Sequence, residues 1–341
     1  MTSLARRIYE WLHRHFIWCL LVVYALGALT PPLEEGSIGH AITALGGRWP
    51  LRLLLAVILF NAGLGTDPRQ FGHTRHNWRL LVAGWAVGLI LPMALVMAAM
   101  PVLALAGAPR DYFVLLLGFA VVAAMPTAGA SAAWAQNAEA NLALSLGLVL
   151  LSTLASPLCS AAALGLVGLL MAGDTVGRIG RIEPDMAAWF LALWVMVPAL
   201  VGLTTRRCLG SARVDRMKSW LKLINLASLL LLYYLNAVLT LPNALAFHSA
   251  SVFGAAAIGA VGLAAAVFLG GELLARGLRV GRPERVSFLF GLALKNNGAA
   301  MVLVSTVLAA QELALLSIIA YSLAQNIGAA LIDRYVVGES S

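Results

Sequence analysis

Apolar stretches of about 20 residues recur from one end of the chain to the other, the length that crosses a bilayer as a helix. Prolines and polar or charged clusters separate them. Ten spans can be drawn, near 16–30, 50–66, 78–105, 112–136, 141–171, 186–205, 217–240, 250–276, 286–308 and 311–332. The pattern predicts an all-α polytopic membrane protein of about ten transmembrane helices. No stretch reads as a separate soluble domain or a low-complexity linker.

Two spans are interrupted. The fourth reads "LLLGFAVVAAMPTAGASAAWAQNAEANLALS". Pro126 removes a backbone donor and clashes with the preceding turn. Thr127, Gly129 and Ser131 follow at once, then Gln136 and Asn137. The ninth span carries "FGLALKNNGAAM", with Gly291, Lys295, Asn296, Asn297 and Gly298. Asparagine and glycine form helices poorly and readily cap or turn a chain. Pro126, Gly129, Gly291 and Gly298 are therefore the expected breaks. Backbone that leaves the helix at membrane depth survives only inside protein or beside a wet cavity. The two breaks fall in the fourth span of each set of five. Five being odd, the second set starts in the opposite orientation, which is the arithmetic of an inverted repeat with a midplane site built from half-helix ends. The repeats would be residues 1–172 and 173–341. The competing reading is two kinked helices with packing amides, because Pro and Gly are common in transmembrane helices.

Composition sharpens the class. Charged residues make up 11% of the chain, against about 25% in soluble domains. With the N-terminus inside, 17 basic residues fall in inside segments and 5 outside, with Lys295 left over. That split places both termini in the cytoplasm. It also explains the net charge of +8 through lipid-facing loops rather than nucleic acid. The basic start and apolar run of residues 1–30 imitate a signal peptide, but read as the first span. Cys19, Cys159 and Cys208 are scattered and suggest neither disulfides nor a metal site. "HTRH" at 73–76 reads as a solvated basic loop rather than a metal site. No catalytic triad, phosphate loop or cofactor motif is present in the sequence, and no enzyme is expected.

At the interrupted spans the chain resembles the bile acid:sodium symporter superfamily. "MPTAGASAAWAQNAEANLALSLGLVLLSTLASPL" (125–158) carries the specific match, without a gap, to the family's Cys-Pro-Gly-Gly-Thr-Ala-Ser-Asn run and its Ser-Thr-Leu-x-x-Pro end. "FNAGLGTDPRQF" (60–71) and "GLALKNNGAAM" (291–301) add weaker similarity. The resemblance implies ten spans in an inverted repeat, a core and a panel domain, and crossing helices that hold sodium ions. Ser131 and Ser145 match hydroxyl ligands and Asn296 matches a family asparagine. Four ligand positions differ: Ala132 for asparagine, Val149 for threonine, Gly291 for glutamate and Lys295 for glutamine. Sodium needs several oxygens, as hard cations do, and a nearby ammonium repels it. The departures argue against sodium coupling.

A lysine near the bilayer centre costs roughly 2.5–3.5 kcal/mol, and the ninth span holds no acidic partner. The nearest candidates elsewhere are Glu139, between spans four and five, and Glu272, near the cytoplasmic end of span eight. The expectation is that the Lys295 ammonium takes the place of a sodium ion, against half-helix C-terminal carbonyls and the Ser131 and Ser145 hydroxyls. It would be either a permanent internal cation or a group that releases its proton during the cycle, since burial disfavours charged lysine. The plain alternative is a lysine that snorkels to an interface.

The family mostly moves organic anions. Lys295 and half-helix N-termini would attract one, and Thr127, Gln136, Asn137, Asn296 and Asn297 would hydrogen-bond it. Trp134 would line the cavity or face lipid. An arsenite exporter is set aside because residues 112–145 contain no cysteine. The expected function is thus a secondary transporter of a small or amphipathic organic anion in the cytoplasmic (inner) membrane. The alternatives are a sodium symporter with a residual site, a cation/proton antiporter, or a membrane sensor without a substrate cavity.

Overall fold

The computed structural model describes residues 2–30, 48–66, 78–171, 183–307 and 312–338. They are almost entirely helical. An amphipathic helix, α1 (Thr2–Arg14), leads into α2 (Phe16–Leu29). Then come α3 (Trp49–Gly65), α4 (Trp78–Leu105), α5 (Arg110–Ala124), the short α6 (Ala130–Asn137) and α7 (Leu142–Leu170). The second half has α8 (Pro184–Leu209, with a π-helical turn over Leu191–Met196), α9 (Ser211–Phe247) and α10 (Ala250–Gly277). It ends with α11 (Arg282–Ala293), α12 (Asn297–Val307) and α13 (Glu312–Gly338).

Local chemistry sets several boundaries. Pro50, Pro184 and Pro283 sit in the first turns of α3, α8 and α11, where no amide donor is needed. The Asn141 side chain accepts from Leu144 N and caps α7. Gly210 separates α8 from α9 at φ 78°, a conformation that favours glycine.

Among the described residues six helices are long and apolar enough to span a membrane: α4, α7, α8, α9, α10 and α13. α2, α3 and α12 are shorter apolar helices. α4 and α10 turn large apolar side chains such as Ile90, Val102, Ile258 and Val261 outward. α5, α11 and α12 differ: Phe113–Ala124, Val286–Ala293 and Asn297–Ser305 are buried throughout. α5, α11 and α12 are thus the interior of the molecule, while α6 is only partly buried, with Gln136 and Asn137 exposed. That is where broken helices can exist, because no lipid reaches their open backbone groups.

The helices sort by packing. α2, α3, α8 and α9 pack on one another, while α5 packs on α4 and α13, and α10 on α11 and α13. Glycines set the closest seams. A Cβ on Gly63 would lie 2.0 Å from Ala199 O, and one on Gly202 would lie 2.1 Å from Phe60 O. α3 and α8 therefore touch backbone to backbone. Arg206 extends this seam by donating to Leu64 O at 3.1 Å and pairing with Asp215 at 3.2 Å.

Candidate functional site

The two interruptions meet. Beyond Ala124 the chain is extended through Met125, and beyond Ala293 through Leu294. Thr127 and Lys295 then form an antiparallel bridge. Ala128 N donates to Leu294 O at 2.8 Å, and Asn296 N donates to Pro126 O at 2.9 Å. A buried backbone group without a partner is costly, so each remaining group needs one. Side chains supply them. Ser152 on α7 accepts from Thr127 N at 3.0 Å. The Gln325 amide on α13 accepts from Lys295 N at 3.0 Å and donates to Lys295 O at 3.3 Å. Gln325 thereby stands in for a third strand. The Thr127 hydroxyl donates to Gly291 O at 2.9 Å, and Tyr321 OH donates to Ala293 O at 3.0 Å, satisfying carbonyls that the end of α11 leaves open. Asn296 Oδ1 accepts from Ala299 N at 3.1 Å and caps α12.

Lys295 is 3% exposed. Its ammonium donates to Gly88 O at 2.6 Å and makes a longer contact of 3.4 Å with Met125 O. Pro92 lies inside α4. A residue at 92 would normally donate its N–H to the carbonyl at 88, and proline has none. The proline frees the acceptor that the lysine uses. Met125 follows the last turn of α5, so the negative end of that helix also faces the charge. The half-helix carbonyl of the sequence-based expectation is there. The hydroxyls are not: Ser131 and Ser145 are fully buried and their oxygens make no hydrogen bond in the protein. Nor does Lys295 snorkel. Two backbone oxygens hold its ammonium where it is 3% exposed. Glu272 is no partner for it, being bound to Arg276 at 2.7 Å and Arg285 at 2.6 Å.

A cavity of about 20 Å³ lies beside the ammonium, lined by Gly88, Thr127, Ser152, Ser156, Cys159 and Lys295 among others. That is room for about one water molecule. Gly291 stands where the resemblance would put a glutamate, and its space is taken: a Cβ there would lie 2.6 Å from Leu148 Cδ1. Leu148 packs into the space that a side chain there would need.

The other expected residues divide. Ser131 opens α6 and Asn297 opens α12; both are buried, and both polar atoms of Asn297 lack hydrogen-bond partners. Gly129 precedes α6, and Gly298 fits under Leu232 with a Cβ distance of 3.2 Å. Gln136 and Asn137 lie at the far end of α6. They line a second cavity of about 320 Å³ with Tyr9, Glu10, Arg14 and Lys222, which Lys295 does not reach. Trp134 stacks on Phe290, with ring centroids 5.9 Å apart. The "HTRH" run, and residues 67–71 of the Gly-Leu stretch, lie outside the described residues.

Sequence reasoning missed Gly88, Ser152, Tyr321 and Gln325. A signal for Gly88 was available, since a proline inside an apolar span frees the carbonyl four residues earlier. Gln325 was visible as a lone amide in the tenth span, but its target lies 30 residues away.

Residues 14–335 match the family model described as the SBF-like CPA transporter family (DUF4137), which is related to the bile acid:sodium symporters. No curated protein matches the chain.

Proposed function

The chain belongs to the SBF-like CPA transporter family, and from that membership we propose a secondary transporter that moves a small or amphipathic organic anion across the cytoplasmic membrane, with Lys295 as a built-in cation in place of sodium. One observation carries the reading: the ammonium rests on the Gly88 and Met125 carbonyls at the junction of two broken helices. A bound monovalent cation would seek the same chemistry, a pocket of backbone oxygens at helix C-termini. Leu148 packed against Gly291 supports the loss of a sodium ligand. The buried, unpartnered Ser131 and Asn297 at the starts of α6 and α12 support a polar site where two helix N-termini favour an anion.

In this reading the ten membrane segments are two inverted sets of five. α2, α3, α8 and α9 form a panel, and the crossing helices with α4, α7, α10 and α13 form a core that moves against it. Both termini face the cytoplasm. A proton-coupled version differs in one respect: Lys295 gives up its proton during the cycle. Uptake of a panel of organic anions into proteoliposomes, with sodium or proton gradients imposed in turn, tests the proposal. Uptake without sodium supports it, and strict sodium dependence contradicts it. A Lys295→Gln variant with full activity and an unchanged pH profile would sink the proton-coupled version alone.

A further inference from the structure

The 320 Å³ cavity lies apart from Lys295 and has its own chemistry. Arg14 and Lys222 are its two cations, Gln136 and Asn137 supply amide donors, and Glu10 is its one carboxylate. The Lys222 ammonium sits 5.2 Å from the centre of the Tyr9 ring, which holds it over α1. The formal sum of the charged side chains in the lining is a single positive charge. That suits a monoanion better than a phosphate dianion.

Its location narrows the class further. α1 is amphipathic: Leu4, Ile8 and Trp11 recur at helical spacing and are all exposed, while Arg7, Glu10 and Arg14 line another face. α1 packs on α9 and leads directly into α2. A helix of this kind lies in the headgroup plane with its apolar side toward the acyl chains. The cavity that α1 walls is then at the depth of the lipid phosphates. The opposite wall is α6, the short helix after the first interruption.

We infer that the cavity between α1, α6 and α9 is a binding site for a phosphodiester monoanion, held by Arg14 and Lys222 and by the Gln136 and Asn137 amides. Arginine favours such groups because its planar donors match two oxygens at once. An occupied site ties the interfacial helix to the crossing segment, so the ligand would set how freely α6 moves. This goes beyond the transport proposal and does not depend on the role of Lys295.

The test compares thermal stability of the full-length protein in phosphatidylcholine nanodiscs with and without phosphatidylglycerol. In parallel, dimethyl phosphate is titrated into detergent-purified protein against chloride at equal ionic strength. Stabilisation by phosphatidylglycerol that is lost in Arg14→Gln and Lys222→Gln, and kept in Lys222→Arg, establishes the site with a lipid headgroup as its source. The same pattern with dimethyl phosphate alone establishes it with a soluble source. Arg213→Gln, an exposed cation elsewhere on α9, should leave the increment unchanged. No stabilisation by either probe overturns the inference. So does an increment that survives both Gln variants, or one that Arg213→Gln lowers equally, which would mean general surface charge.

Discussion

The ammonium of Lys295 is bound 2.6 Å from the carbonyl of Gly88, an acceptor that Pro92 sets free one turn further along α4. A proline in a helix interior usually costs about 3 kcal/mol. Here part of that cost is offset by a charge-assisted bond worth about 1.5–3 kcal/mol. Pro92→Ala should therefore stabilise the protein less in the wild-type background than in a Lys295→Met background. A double-mutant cycle read by thermal denaturation in detergent measures the difference, and a coupling of about 1–3 kcal/mol is expected. Additive effects would separate the proline from the lysine.

Gln325 is the second prediction. Its amide closes both backbone groups of Lys295. Gln325→Leu strands the buried Lys295 N–H, while the Lys295 carbonyl keeps the bond from Asn297 N at 2.9 Å. Stability should fall by about 1–3 kcal/mol, the cost of one buried donor without a partner, and Gln325→Glu, which keeps the acceptor, should lose less at neutral pH. Equal losses in the two variants would mean that packing, not the hydrogen bonds, matters there.

Thr127 and Ser152 separate two roles at the same bridge. Thr127→Val keeps the shape and removes the hydroxyl that serves Gly291 O. Ser152→Ala removes the acceptor of Thr127 N and leaves a buried donor without a partner. Each should cost about 1–3 kcal/mol. Because the two side chains meet at one residue, the double variant should depart from additivity.

Glycine substitutions test the seams. Gly63→Ala would put a Cβ 2.0 Å from Ala199 O, and Gly118→Ala would put one 2.3 Å from Ala314 O. Both neighbours are backbone and cannot rotate away, so neither variant should yield a monodisperse protein. Gly254, with nothing within 4 Å, is the control. Gly254→Ala should be neutral or stabilising by up to about 1 kcal/mol, because alanine is the better helix former. Size-exclusion profiles and melting temperatures give the comparison.

Much of this architecture was legible in the chain. The apolar runs foretold every described helix but the amphipathic α1, and Pro126 with the Lys295-Asn296-Asn297 triplet marked both interruptions. These signals are local, one backbone donor missing or one run of poor helix formers. What could not be read was which distant groups repair the damage. Ser152 and Gln325 look like ordinary polar residues within apolar helices until α7 and α13 are placed against the bridge. The same limit misplaced Ser131 and Ser145 beside the ammonium: their positions in the chain were right for a crossing, but Pro92 had already supplied a better acceptor. Gln136 and Asn137 follow the first break closely in sequence. Yet about two helical turns carry them from the bridge to the cavity beside α1.

The most direct test of the built-in cation is thermal stability against sodium, with potassium as the ionic-strength control, for wild type and Lys295→Ala. A cation that binds only the folded state stabilises it by mass action, about 2.7 kcal/mol at a hundredfold excess over Kd. The account predicts no sodium-specific rise in wild type. It predicts a saturable rise with sodium or methylammonium once the side chain is removed and the Gly88 and Met125 carbonyls lose their cation. A saturable, sodium-specific rise in the wild-type protein would contradict it.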